Sequence, residues 1–245
     1  MSSSSPLPFL KGRRTHDRFY LHERRTKPKE YFLFVADKAG PFLRRLPAPA
    51  ILDVGCAAGD FLSFLAGRFP SARLHGMDIL PALIRRARKD VPAATFFVGD
   101  IDKGKHLPQA KFDAIFMNGV HLIFDDIDGW MQHVLSLLKP RGCAYVFGIF
   151  NPEPVDVLTR TRAVGGEWQP GWNVFSRRTV LETLEKHGVA GRFFPFEIGI
   201  DVPRHRDDPL RAWSFKDDRG HRLLVNGTQI LHHLSLLVMQ RKKEN

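Results

Sequence analysis

Cysteine, long apolar runs and acidic residues are all scarce in this chain, and each shortage narrows what it can be. Two cysteines in 245 residues supply neither a disulfide framework nor a metal-ligand set. Cys56 and Cys143 are therefore expected to be reduced and structural, and no metal site is expected. No apolar stretch reaches the roughly 18 residues that a membrane span needs. The opening Met-Ser-Ser-Ser-Ser-Pro-Leu-Pro lacks the apolar core of a signal peptide. It reads as a short disordered tail over residues 1–14, with a cytoplasmic location as the default. There is no internal repeat, no recognised RNA-binding signature, no Gly-Lys-Ser/Thr phosphate loop and no Gly-x-Gly-x-x-Gly dinucleotide fingerprint.

Lys and Arg number 37 against 26 acids, a net charge of +11. Much of the excess is local: Lys11, Arg13, Arg14, Arg18, Arg24, Arg25, Lys27 and Lys29 stand close together, and Arg241, Lys242 and Lys243 end the chain. Such a run attracts an anion, whether nucleic acid, a nucleotide-linked metabolite or a membrane surface, or it is simply a solvated face. Hydrophobic residues make up 43% of the chain, enough for a sizeable core in one large α/β domain or two small ones.

The most informative stretch is Ala50-Ile-Leu-Asp-Val-Gly-Cys-Ala-Ala-Gly-Asp-Phe61. An apolar run ends at Asp53, turns through Gly55, Ala57 and Gly59, and enters a helical pattern. Glycines in such a turn let a ligand approach bare backbone at a strand's carboxyl end. A second strand, residues 72 to 77, is closed by Asp78, at the distance where an acid can bind ribose hydroxyls. The same acid before Pro81 also suits a helix cap. A third strand, Thr95 to Val98, leads into Gly99-Asp100-Ile101. A fourth, Phe112 to Met117, ends in Asn118-Gly119-Val120-His121. After a helix comes Leu137-Leu-Lys-Pro-Arg-Gly142, read as a turn, and a fifth strand, Ala144 to Phe150.

Taken in order, these features make the sequence resemble the class I S-adenosylmethionine-dependent methyltransferases, clearly over residues 48 to 151 and more weakly to the end. The carriers are the Asp53 to Gly59 turn, Asp78, Gly99-Asp100, Asn118 with its neighbours, and the Leu-Lys-Pro-x-Gly turn. Ala57 departs from the family's middle glycine. The resemblance implies an α/β fold: a Rossmann-like, seven-stranded, mostly parallel sheet with helices on both faces and the last strand antiparallel. It further implies S-adenosylmethionine as cofactor and S-adenosylhomocysteine as product. Asp53 is expected at the methionine amine, with backbone from Gly55, Cys56, Ala57 and Gly59 beside it. Asp78 is expected at the ribose and Asp100 at the adenine amino group. Ile79 and Ile101 are expected to pack the ring, and Asn118 and Gly119 to line the methionine end.

The remaining chain frames this core. Residues 15–46 read as an N-terminal helical cap broken at Pro28 and Pro41, residues 48–200 and 229–241 as core, and 201–228 as an insertion containing a β-hairpin that turns at Arg219-Gly220. The whole of 15–245 is read as one domain. Residues 151 to 175 read as loop, Ser176 as a helix cap, and Arg192 to Ile198 and Leu234 to Gln240 as the last two strands. His121 is the candidate general base, since neutral imidazole accepts a proton near neutral pH, although a structural histidine fits equally. Asp125 and Asp126 are bases or helix caps. Asn151 and Glu153, Trp168, Trp172 and Trp213, and Arg204 with His205 are further candidates around an acceptor. His232 and His233, read on a strand, point to opposite faces. The expected acceptor is a small molecule, with a hydroxyl as the acceptor group. A sugar, glycan precursor or anionic metabolite is favoured, RNA is the alternative, and a non-catalytic binding module of the same fold is the third reading.

Overall fold

The computed structural model describes Tyr20 and residues 27–162, 165–205 and 209–242. The expected tail 1–14 and the basic residues Lys11, Arg13, Arg14, Arg18, Arg24, Arg25 and Lys243 lie outside the described residues. Helix α1 spans Glu30–Leu43. Alternation then follows: β1 Ala50–Val54, α2 Asp60–Arg68, β2 Arg73–Asp78, α3 Pro81–Asp90, β3 Thr95–Val98 and β4 Phe112–Asn118. A 3-10 turn, Val120–Ile123, precedes α4 Ile127–Leu137 and β5 Leu138–Ile149. The distal part holds β6 Arg160–Thr161, β7 Gln169–Pro170, α5 Arg177–Lys186, β8 Val189–Pro195, β9 Trp213–Lys216, β10 Arg222–Val225 and β11 Leu234–Arg241.

Seven strands form one sheet in the order β3-β2-β1-β4-β5-β11-β8. Pairings from β3 through β5 are parallel, and β11 runs antiparallel to both of its neighbours. The strands alternate apolar residues between two buried faces, as period-2 geometry requires. On one face Ile51, Ala114, Phe116, Tyr145 and Phe147 meet α1, α2 and α3 through Phe32, Phe61, Leu65 and Ile84. On the other face Leu52, Ile115, Met117, Ala144 and Val146 meet α4 and α5 through Trp130, Met131, Val134, Val180 and Leu184. By the same parity Asp53 and Asn118 project to the α1 face.

Several boundaries differ from the sequence reading. Pro41 does not break the helix: α1 runs through it and ends two residues later, because a proline in the last turn forfeits one hydrogen bond where the helix is ending anyway. The Lys-Pro-Arg-Gly segment is a bulge inside β5: Leu138 already pairs with Phe112, and the register then shifts before Ala114. Lys139 Nζ bonds Asp113 Oδ2 at 2.7 Å across it. Strand β8 starts at Val189, directly after Gly188 at φ +65°. The 151–175 stretch is not wholly loop, since β6 and β7 pair antiparallel; two-residue strands are too short to leave a pattern. His232 and His233 precede β11 rather than lying on it, one buried and the other exposed. As expected, Ser176 Oγ caps α5 through the Thr179 amide at 3.0 Å. The β9–β10 hairpin forms its own small sheet, turning at Gly220 with φ +82°. No helix among the described residues is long and apolar enough to cross a membrane.

Phe116 anchors the α1 face. It is fully buried, stacked on Tyr145 at 5.0 Å and edge-on to Phe61 at 5.2 Å. Phe116→Ala leaves a cavity in the centre of the sheet and should cost about 3–5 kcal/mol in denaturant unfolding.

Candidate functional site

The turn after β1 is held by hydrogen bonds to the neighbouring strand. The amides of Gly55 and Cys56 donate to the Met77 carbonyl at 2.7 and 3.1 Å, and Gly59 N donates to Cys56 O at 2.8 Å. Gly55 has φ +71°, and a Cβ there would stand 1.9 Å from Val120 Cγ2. Ala57 adopts φ +47°, the left-handed region that an L side chain enters at a cost of about 1–2 kcal/mol. Its amide donates to Asp78 Oδ2 at 3.0 Å. The missing glycine of the sequence pattern is thus a strained position.

A cleft of about 720 Å³ opens at the carboxyl ends of β1 to β4, where the strand order reverses between β1 and β4. Ligands of open α/β sheets bind at such switch points. Asp53, Gly55, Cys56, Ala57, Asp78, Ile79, Asp100, Ile101, Asn118 and Gly119 all line it. Gly59 does not: it precedes α2 at φ +88°, and a Cβ there would meet Val91 and Phe96, so its part is to let α2 pack.

The acids differ in environment. Asp53 is buried, and that burial, then the Asp78 charge, pushes its pKa well above the usual carboxylate range, with Lys29 pulling the other way. Asp78 accepts from Ala57 N and, through Oδ1, from Leu80 N at 2.9 Å. The cap of α3 is Leu80, ahead of Pro81, so Asp78 supports that cap without being it. Asp100 Oδ1 holds the Asp102 and Lys103 amides at 3.0 and 3.1 Å, organising the loop after β3. The Asn118 amide is out of contact with solvent, and neither its oxygen nor its nitrogen has a hydrogen-bond partner among the described residues. Buried polar groups in folded proteins are as a rule hydrogen-bonded, so this amide calls for a polar partner. Both cysteines are free and buried. Burial, then Asp53 and Asp78, raises the Cys56 thiol, which keeps it protonated and poorly nucleophilic.

His121 does not reach the cleft. Its ring is 2% exposed, stacked on Phe150 at 4.9 Å and near Trp130, on the α4 side of the sheet. Burial lowers its pKa to about 3, opposed weakly by the Ile149 backbone. The expectation of a general base there is overturned. Gly119 at φ +79° and the 3-10 turn redirect the chain after Asn118, putting Val120 against Gly55 and His121 inside.

The other candidates separate cleanly. Asp126 caps α4 through the Asp128 and Gly129 amides. Asp125 pairs with Arg160 and accepts from Asn173 Nδ2 at 2.8 Å. Asn151 bonds within its own loop to Val155 O and Glu153 N, and neither Asn151 nor Glu153 lines the cleft. Trp168 and Trp172 do line it, whereas Trp213 lies under Arg204 at 4.6 Å. Arg204 and His205 are exposed. Sequence reading missed Tyr20, Lys29, Tyr31, Phe32 and Gln169 as cleft residues. In the sequence Lys29 was one cation in a basic run. No group of three or more His, Cys, Asp or Glu among the described residues is placed to hold a metal ion.

A family model for a methyltransferase domain matches residues 51–142, the stretch that builds β1 to β4, the start of β5 and the cleft's aspartates. Over this stretch the chain is similar to a methyltransferase domain. Trans-aconitate 2-methyltransferase of Escherichia coli O139:H28 (strain E24377A / ETEC) is 34% identical over 143 residues, covering 54% of this chain and 55% of that protein. The enzyme of the same name from Escherichia fergusonii matches to the same extent. The chain spans about half the length of the curated relatives it matches. Among solved structures, a DhpI–SAM–HEP complex aligns with TM-score 0.58 at 15% identity, over 97% of this chain and 100% of that one. DesVI of Streptomyces venezuelae aligns with TM-score 0.55 at 16% identity, over 93% and 97%. At these identities the structural likeness concerns the fold of the domain.

Ala57→Gly should relieve the left-handed strain and stabilise the chain by about 1 kcal/mol, raising the thermal midpoint by roughly 2–4 °C. The histidines give a pH dependence. Burial holds His121 at about 3 and His232 at about 4, both below their ordinary value of 6.5, so the unfolded chain takes up protons first as the pH falls. Their contribution is complete above pH 6.5 and declines below it, by about 2 kcal/mol at pH 5 for His121. Denaturant unfolding of His121→Leu at pH 7 and pH 5 should show a correspondingly smaller loss than the parent.

Proposed function

We propose that this protein is an S-adenosylmethionine-dependent methyltransferase with a small-molecule acceptor. The observation that carries this is the set of three acids, Asp53, Asp78 and Asp100, brought from the ends of three adjacent parallel strands into one cleft. Their chemistry suits the cofactor part by part. A buried carboxylate such as Asp53 is stabilised by an ammonium. Asp78, with two oxygens, accepts from vicinal ribose hydroxyls. Asp100 accepts from the adenine amino group, and Ile79 and Ile101 supply apolar surface for the ring. The unpartnered Asn118 amide, with Gly119 beside it, faces the methionine end.

When bound, the cofactor supplies a methyl group already activated on a sulfonium. The residues of this chain then act by binding, alignment and exclusion of water. Asp53 and Asp100 hold the two ends of the ligand and Asp78 its ribose, and the Gly55 turn lets it lie against backbone. Trp168 and Trp172 also line the cleft, from a segment outside the seven-stranded sheet. Oxygen remains the proposed acceptor atom. A sugar hydroxyl is the less favoured form of it, because His121, the residue read as its base, is turned into the core. An anionic metabolite is favoured, in line with relatives named for trans-aconitate. RNA stays the alternative acceptor, resting on the basic run, of which Lys29 lines the cleft and Lys27 is exposed. Two free thiols fit a reducing, cytoplasmic setting.

Calorimetric titration with S-adenosylhomocysteine tests the reading. Micromolar binding, about 8 kcal/mol, is expected of the parent. Asp78→Asn preserves shape and should weaken binding about tenfold or more, while costing the ligand-free protein about 1 kcal/mol. A folded parent that binds neither S-adenosylmethionine nor S-adenosylhomocysteine sinks the methyltransferase reading.

A further inference from the structure

Resting on that reading, we propose that Lys29 is a carboxylate receptor, set beside Asp53 at the end of the cleft where methyl transfer takes place. The carboxylate comes either from the methionine part of the cofactor or from the acceptor, and Lys29 serves one of the two.

Charge distribution in the cleft carries the inference. Its described lining includes the acids Asp53, Asp60, Asp78, Asp100, Asp102 and Glu167, and Lys29 is the one Lys or Arg among them. An acidic cleft attracts the sulfonium and the ammonium of the cofactor and repels carboxylates. A ligand that carries a carboxylate can place it favourably only where a cation offsets that field. Lys29 is the described residue that provides one.

Placement agrees. Lys29 directly precedes α1, on the face of the sheet to which Asp53 and Asn118 project. Its ammonium lies 5.9, 5.8 and 5.8 Å from the ring centroids of Tyr20, Tyr31 and Phe32, an arrangement that favours a cation. Tyr31 in turn stacks on Phe147 at 4.6 Å, and Phe147 pairs in register with Asn118. The cation is thereby tied to the strand end that also presents the unpartnered Asn118 amide. Lys29 is also near enough to Asp53 to oppose the rise of its pKa. A carboxyl and an ammonium of the protein at one end of the cleft complement the ammonium and carboxylate of an amino acid. Alternatively, the same lysine holds an anionic acceptor against the reacting methyl.

The test uses the full chain, with Lys29→Met, which keeps an apolar stem among the rings, and Lys29→Arg, which keeps the charge. Thermal melting first verifies that each variant is folded. Calorimetry then compares S-adenosylhomocysteine with 5′-methylthioadenosine, which has the adenosine and thioether but no amino acid. If the cofactor's carboxylate is the partner, Lys29→Met weakens S-adenosylhomocysteine by about 10- to 100-fold and leaves methylthioadenosine unchanged, and Lys29→Arg recovers part of the loss. If the acceptor's carboxylate is the partner, both nucleosides bind the variant normally. Trans-aconitate, used as a polyanionic probe on protein saturated with S-adenosylhomocysteine, then binds the parent and not Lys29→Met. Unchanged nucleoside affinities without any Lys29-dependent binding of the probe overturn the proposal and leave the lysine a counter-charge for Asp53. A folded parent that binds neither nucleoside overturns the cofactor reading, and the proposal with it.

Discussion

The Met77 carbonyl accepts from two successive amides, Gly55 and Cys56, and the site depends on that clamp. It holds the turn after β1 against the end of β2, with Asp78 completing the attachment through the Ala57 amide. Such a path requires positive φ at Gly55 and Ala57, and it brings Val120 close enough that only a glycine fits at 55. The positions of Asp53, Asp78 and the segment after β4 are therefore coupled. The strain at Ala57 is tolerated because the flanking hydrogen bonds over-determine the turn.

Electrostatics follow from the same packing. Asp53 and Asp78 converge in a place with little water, and their mutual repulsion adds to burial in raising the Asp53 pKa. Separated carboxylates on a wet surface would not do this. The arrangement costs stability in the absence of a cationic partner and rewards one, as expected of a binding site that is formed before its ligand arrives.

The sheet and the gathering of three acids in one cleft were legible in the sequence for specific reasons. Strands buried on both faces leave apolar runs, and each of the first three stops at or just before an acid that the fold cannot bury without purpose. Asp53, Asp78 and Asp100 were readable because strand ends in a parallel sheet share one edge. Legibility failed where the chain leaves regular periodicity. Beyond Asn118, a left-handed glycine and a 3-10 turn erase the period of two, so nothing in the sequence indicates that His121 turns inward. Lys29 was hidden for another reason: within a run of cations, no local pattern marks the one that lines a cleft. The Lys-Pro-Arg-Gly bulge looked like a turn because its residues are turn formers, yet pairing with β4 resumes on either side of it.

The tryptophan side of the cleft is fastened differently from the strand side. Trp168 and Trp172 belong to the stretch between β5 and α5, which joins the segment after β4 through Arg160 and Asn173, both on Asp125. The Asn173 backbone amide also donates to Leu122 O at 2.7 Å, so these attachments run to the loop after β4 and not into the seven-stranded sheet. The two halves of the cleft thus stand under unequal constraint. Changes on the strand side disturb a backbone clamp and a folded sheet together, whereas the tryptophan side can be rewritten while the sheet is left intact. The stretch around Trp168 and Trp172, outside the seven-stranded sheet, is thus where the shape of the cleft can change without rebuilding the strand ends that carry Asp53, Asp78 and Asp100.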